Sequence, residues 1–339
     1  MSGATPGAAH GAVPRAIALT PILSARYRPA HLDAIRAAAP GARLVAVSAD
    51  GHADEPLGDV EVLLHGRIAP EALDRVLARA PRLRWIHSAA AGVERVLTPA
   101  VRARGIVVTN ARGVFSRPIA EYVLLMILAV SRRLPELAAL QAERTWQPLE
   151  GRELQELTVG VVGLGSIGRV VADIASSLGC RVIATRRQTA ARGGEPIPPG
   201  VTVLTAGALP LLLATADFVV LAVPLTAETD GLIDAEALGR MKRTAWLINV
   251  ARGRLVDERA LVGALMEGRI GGAVLDTFQE EPLPPDSPLW DLPNAIVTPA
   301  TSWSSGPVLD RSVELFCENL RLHAAGERLI NVVDPAAGY

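Results

Sequence analysis

Residues 158–185 read TVGVVGLGSIGRVVADIASSLGCRVIAT, and this stretch decides the fold. Its first five residues are an apolar, strand-forming run, followed without a gap by Gly163, Gly165 and Gly168. Ile167, Val170, Val171, Ile174 and Leu178 then recur at helical spacing, and Gly179 sits where a helix-capping glycine belongs. A second strand, residues 181–185, completes a βαβ frame. A lone GxGxxG is a weak signal, but strand, glycines and helix in this order make a dinucleotide fingerprint. Gly163 suits the tight turn, Gly165 lets a pyrophosphate approach the backbone, and Gly168 lets the helix pack on the strand. Free N–H groups at the helix start, near Ser166 and Ile167, suit the phosphate.

The second strand of such a frame ends in an acid when the ribose 2′-hydroxyl of NAD is read. Here it ends in Arg186-Arg187. Two guanidiniums suit a 2′-phosphate, so NADP(H) is the preferred cofactor, with NAD(H) possible. The competing reading is a pair of solvated surface arginines.

Working outward, a second strand–helix series surrounds this frame. DFVVLAV (217–223), AWLINV (245–250), GAVLD (272–276) and AIVTP (295–299) read as further strands. Before it, AIAL (16–19), LVAV (44–47), VEVLL (60–64), LRWIH (83–87) and GIVVTN (105–110) are strand-like, with helical spacing in 31–39 and 70–80 between them. Such alternation means parallel sheets, and the natural reading is an α/β protein of two doubly wound domains. A long helical stretch near 118–144, broken near Pro135, joins the series, and a helix from about 304 through 322 precedes LINVVD (329–334). Residues 1–13 read as a loose tail.

The 339 residues carry a net charge of -1, which gives no reason to expect nucleic acid or an anionic membrane as partner. The longest apolar run, residues 122–130, is far short of the ~20 residues a bilayer span needs. The two cysteines, Cys180 and Cys317, have no metal-ligand spacing and read as buried thiols. A soluble, cytoplasmic protein without a metal site is expected.

Ligands of open α/β sheets bind beyond the carboxyl ends of the strands. Those ends are Gly163, Arg186, Val223-Pro224, Asn249-Val250-Ala251-Arg252, Asp276 to Glu281, and Thr298 to Ala300. Arg252, just past a buried strand, can clamp a small carboxylate with two parallel hydrogen bonds.

GLGSIG (163–168), VPLTAET (223–229), INVARGRLVDERAL (248–261), LDTFQEEPLP (275–284) and LINVVD together resemble the D-isomer-specific 2-hydroxyacid dehydrogenases. So do WIHSAAAGVERV (85–96) and IAEYVLLMIL (119–128). The resemblance spans nearly the whole chain. It implies that Arg252 binds the substrate carboxylate and carbonyl, that Glu281 pairs with a catalytic histidine, and that Ala91-Gly92-Val93 also hold the carboxylate. Val223, Pro224, Asn249, Val250, Ala251 and Asp276 are expected to line the cofactor. The implied fold is a flavodoxin-like substrate domain, residues 14–115 and 305–339, interrupted by a Rossmann domain, residues 116–304. The helix near 120–145 would be the arm of a homodimer, and the substrate a small 2-oxo or 2-hydroxy acid.

One departure matters most. The family ends its last strand motif with TPH, whose histidine protonates the substrate carbonyl, whereas this chain reads VTPATSW with Ala300 in that place. Loss of a positioned general acid costs ~10²–10⁴ in rate. Among the other histidines, His87 is the best placed to substitute, because its strand leads into the AAAG loop. Thr301 and Ser302 adjoin the vacant position, but hydroxyls are poor acids near neutral pH. Three explanations stand: a dehydrogenase scaffold that has lost its acid, an enzyme with another proton source or reaction, and a non-enzymatic NAD(P) sensor.

Overall fold

Apolar runs buried on both faces force parallel strands between helical layers, and the computed structural model contains two such sheets. It describes residues 11–21, 27–66, 68–187 and 197–335; most of the expected tail lies outside these. The chain divides into two units, residues 1–115 with 305–339, and residues 116–304.

In the first unit, β1 (Ala16–Leu19), β2 (Arg43–Ala46), β3 (Val60–His65), β4 (Trp85–Ser88) and β5 (Val107–Asn110) form a parallel sheet ordered β2-β1-β3-β4-β5. This is the flavodoxin-like order. Helices α1 (Pro29–Ala38), α2 (Pro70–Arg79) and α3 (Pro99–Ala103) connect the strands. One apolar layer lies under α2 and contains Leu63, Leu73 and Ile86; the other contains Ile17, Trp85 and Phe316. Phe316 comes from the long C-terminal helix Val308–Ala325, which packs on α1. That helix runs a turn later at both ends than the sequence suggests. It starts after Pro307 and ends where Gly326 takes a left-handed backbone, φ 72°.

The second unit opens with α4 (Ser116–Ser131) and α5 (Leu134–Ala142). The helix breaks at Arg133 (φ 56°), two residues before the expected proline. Pro135 instead occupies the first turn of α5, where its missing N–H costs nothing.

Seven parallel strands follow: β6 (Thr158–Val162), β7 (Arg181–Arg186), β8 (Val201–Thr205), β9 (Phe218–Leu221), β10 (Trp246–Asn249), β11 (Gly272–Leu275) and β12 (Ala295–Val297). Helices α6 (Ser166–Ser177), α7 (Leu209–Thr215), α8 (Ala235–Arg240) and α9 (Glu258–Met266) cover them. The order β12-β11-β10-β9-β6-β7-β8 reverses direction between β6 and β9. This is the doubly wound arrangement with its ligand crevice at that reversal. β8 escapes a reading by hydrophobic runs because it is an edge strand with no buried residue.

Both cysteines are free and buried. Among the described residues no helix is long and apolar enough to cross a membrane, and no cluster of His, Cys, Asp and Glu could hold a metal ion.

Candidate active site

The glycine turn after β6 discriminates its three glycines physically. Gly163 has φ 98°, and a Cβ there would lie 2.5 Å from Val223 Cγ1 and 2.8 Å from the Ala222 oxygen. A Cβ at Gly168 would fall onto the Gly163 carbonyl oxygen, so only glycine lets α6 seat this close to the strand. At Gly165, by contrast, a Cβ would meet nothing within 4 Å. Gly165 is also the N-cap of α6 and has no side chain to satisfy the first-turn N–H groups. An open approach onto unsatisfied helix N–H donors fits a dinucleotide pyrophosphate.

At the end of β7, Arg186 pairs in register with Thr205 and is half-buried. Arg187 forms an ion pair with Glu228 at 2.7 Å, both side chains being more than half exposed. Glu228 belongs to the loop after β9, in which Thr229 donates to the Pro224 carbonyl at 2.7 Å. From this loop the sequence motifs single out only Val223 and Pro224. The acid that meets Arg187 was in view in TAET, but no periodicity marks it.

Beyond β10, buried Asn249 ties its own turn. Its Oδ1 accepts from Ala251 N–H at 3.1 Å, and its amide donates to the Arg252 carbonyl at 2.9 Å. Val250 and Ala251 are buried with it, while Arg252 is half-buried and donates from Nη1 to the Ala251 carbonyl at 2.8 Å. A Cβ at Gly253 would overlap the Phe278 carbonyl, so the arginine turn lies directly against the loop after β11. Gln279 crosses back between them, donating to the Val256 carbonyl at 2.8 Å. In that loop Glu281 is exposed, and its Oε1 accepts from Phe278 N–H at 3.2 Å.

Asp276, expected among the cofactor contacts, has its carboxylate engaged within the protein and only 1% exposed. Oδ1 accepts from the Thr298 hydroxyl at 2.6 Å and from Thr301 N–H at 2.8 Å, and Oδ2 from Ser302 N–H at 2.9 Å. The carboxylate therefore fastens the turn that carries Ala300 from both sides. Ala300 itself is in the left-handed region, φ 49°. Tyr122, on α4, closes the cluster at 2.6 Å from the Thr298 hydroxyl. Burial, aided by the charge of Asp276, pushes the phenol up to about 12.

No histidine occurs within residues 116–304. His87 cannot serve as the missing acid in the way its sequence position suggests. It is sealed among Trp85 and Phe316, 2.8 Å from the Thr109 hydroxyl, and burial pushes it down to about 3. A ring that stays neutral has no ready proton to give. His65 is likewise pushed down to about 4 by burial. His31 is engaged with Arg28 and with Asp310 at 2.7 Å, His323 stacks on Trp85, and His52 lies 3.3 Å from Asp54. In the first unit, the loop of Ala91, Gly92 and Val93 is anchored by Asn110, whose amide donates to the Ala91 carbonyl at 2.8 Å. Ala91 and Gly92 are half-buried and Val93 is buried.

Residues 124–302, more than half of the chain, match the model of the D-isomer specific 2-hydroxyacid dehydrogenase NAD binding domain. A glyoxylate reductase of Korarchaeum cryptofilum is 37% identical over 270 residues, spanning 76% of this chain and 78% of that protein. A D-3-phosphoglycerate dehydrogenase of Mycobacterium tuberculosis is 39% identical over 265 residues, 78% of this chain but 49% of that longer protein. Among solved structures, a D-isomer specific 2-hydroxyacid dehydrogenase from Xanthobacter autotrophicus, in complex with NADPH and MES, aligns with TM-score 0.84 and 34% identity over 96% of this chain and 99% of that one. An NADPH-dependent glyoxylate/hydroxypyruvate reductase from Sinorhizobium meliloti, in complex with NADP and sulfate, aligns with TM-score 0.82 and 27% identity over 96% of this chain and 100% of that one. The chain belongs to the D-isomer specific 2-hydroxyacid dehydrogenase family.

Proposed function

We propose that this chain is an oxidoreductase that transfers hydride between NADPH and a small 2-oxo acid, with the proton-delivery half of the reaction impaired at Ala300. The observation that carries the reading is the turn at residues 298–302: it is fully fastened by Asp276, yet presents a methyl group where the family places its acid.

Bound nicotinamide supplies or accepts the hydride. Gly165 and the first-turn N–H groups of α6, at Ser166 and Ile167, are the pyrophosphate cradle, and Val223 and Pro224 flank it from the loop after β9. Arg186 is the contact for the 2′-phosphate, with Arg187 alongside, which favours NADP(H) over NAD(H). The NADPH and NADP complexes of two relatives point the same way. Arg252 is the clamp for the substrate carboxylate, its turn shaped by Asn249, Val250 and Ala251. Arg252 would meet negative charge developing on the substrate carbonyl oxygen, and Ala300 would offer that oxygen no proton. Glu281 is left without the imidazole it would orient.

Exposed Leu125, Leu128, Leu134 and Leu137 lie along α4 and α5, and α5 has no buried residue. A second copy of the chain is the natural cover for this face, giving a homodimer. The direct test is binding against turnover. NADPH should bind more tightly than NADH, and glyoxylate or hydroxypyruvate should be reduced slowly by a saturated enzyme. Equal affinity for the two cofactors would remove the NADP assignment. Tight NADPH binding with no turnover of any 2-oxo acid would favour the sensor reading, which the alanine at 300 also accommodates.

A further inference from the structure

The three-membered chain Tyr122–Thr298–Asp276 has one allowed direction. A carboxylate only accepts, so the Thr298 hydroxyl must donate to Asp276 Oδ1 at 2.6 Å. Its oxygen is then left to accept, and the Tyr122 hydroxyl, 2.6 Å away, must be the donor. The phenol keeps its proton across the working range, since burial and the Asp276 charge push it up to about 12. The far end of the chain is the turn itself, because the same carboxylate receives the N–H groups of Thr301 and Ser302, which directly follow Ala300. Ala300 meanwhile holds φ 49°, a conformation that a non-glycine residue keeps only when its surroundings impose it.

We propose that Tyr122 is a positioning residue: through Thr298 it orients the Asp276 carboxylate that imposes the backbone at position 300, and so sets the aim of whatever side chain stands there. The inference rests on reading position 300 as the proton-donor position of the site, but its structural half can be tested without that reading. Tyr122 lies on α4, more than 170 residues from the turn in sequence, and reaches it through the Thr298 hydroxyl. Left-handed backbone is also one that histidine adopts several-fold more readily than most residues. The turn is thus shaped for the side chain it lacks.

Two measurements decide it. In the chain as it stands, Tyr122→Phe should raise amide hydrogen exchange at Thr301 and Ser302 by about 5- to 12-fold, the loss expected for a buried hydrogen bond worth about 1–1.5 kcal/mol. Amides of β6 and β10 should stay as they were, and Thr298→Val should reproduce the effect while Thr298→Ser should not. Unchanged exchange at these two amides, or a uniform rise across the unit, would overturn the proposal. In the Ala300→His background, adding Tyr122→Phe should lower kcat by about 10- to 100-fold, the scale of a small misplacement of a catalytic group. The KM for the 2-oxo acid and the Kd for NADPH should move less than twofold. An unaffected kcat in an active Ala300→His enzyme would overturn the proposal, as would losses shared equally by kcat, KM and Kd. If Ala300→His brings no activity, the reading of position 300 fails instead, and the exchange result alone decides whether Tyr122 holds the turn.

Discussion

At the scale of single residues, charge and burial make the sharpest statements. Arg187 is held by Glu228 across an exposed 2.7 Å ion pair, so on the proposed cofactor assignment an incoming 2′-phosphate would compete with a carboxylate for the same guanidinium. Exposed pairs contribute about 0.2–1 kcal/mol, so Glu228→Gln should tighten NADPH by up to about fivefold and leave NADH unchanged. Arg186→Asp should shift preference toward NADH. Titration of both cofactors by fluorescence reads the two effects. The buried histidines give a pH dependence. His65 and His87 are lowered by burial from 6.5 to about 4 and about 3. Below about pH 6.5 the unfolded chain binds protons that these rings refuse. Their contribution to stability is therefore complete above about pH 6.5 and lost as pH falls toward about 4 and about 3. Each steepens the acid loss by up to about 1.4 kcal/mol per pH unit. Thermal unfolding between pH 7 and pH 4.5 should show this slope, and His87→Leu should flatten it; an unaltered slope would assign acid sensitivity elsewhere.

At the scale of elements, the β6–α6 turn separates fold from function. Gly168→Ala places a methyl group on the Gly163 carbonyl and should cost about 1–3 kcal/mol by overpacking, with NADPH binding lost as α6 shifts. Gly165→Ala meets no protein atom and should leave the melting temperature within a degree or two while weakening NADPH at least tenfold. If the two variants behave alike, the division of labour among the glycines is wrong. This turn was legible in the sequence because strand, glycines and amphipathic helix are all local signals. The buried strands were legible for the same reason, since helices on both faces turn each one into a continuous apolar run. β8 was not, because an edge strand alternates weakly and buries nothing. The helix break expected near Pro135 falls at Arg133, since the proline that signals it begins the next helix instead of ending the last. Of the site, the motif residues could be placed individually. The engagement of Asp276 with the 298–302 turn could not, because it joins residues more than 20 apart by hydrogen bonds that leave no pattern in composition or spacing. Tyr122 was hidden more deeply, as one half-buried phenol in an apolar helix.

At the scale of the whole molecule, the proposed function pairs intact cofactor and substrate binding with a missing proton donor at position 300. The exposed leucines of α4 and α5 should be covered in solution, so light scattering at micromolar concentration should give twice the chain mass, and Leu134→Glu with Leu137→Glu should halve it. The central claim is that binding is intact and only the proton donor is missing. Single-turnover oxidation of bound NADPH by a saturating 2-oxo acid tests it most directly, comparing the chain as it stands with Ala300→His across pH. The account predicts a gain of ~10²–10⁴ for Ala300→His, equal to ~3–5 kcal/mol of barrier. That gain should fade as pH rises through the pKa of the new imidazole, which Glu281 should hold up, and the unsubstituted chain should lack this step. If Ala300→His is no faster than the unsubstituted chain with glyoxylate, hydroxypyruvate and bulkier 2-oxo acids alike, the claim is contradicted.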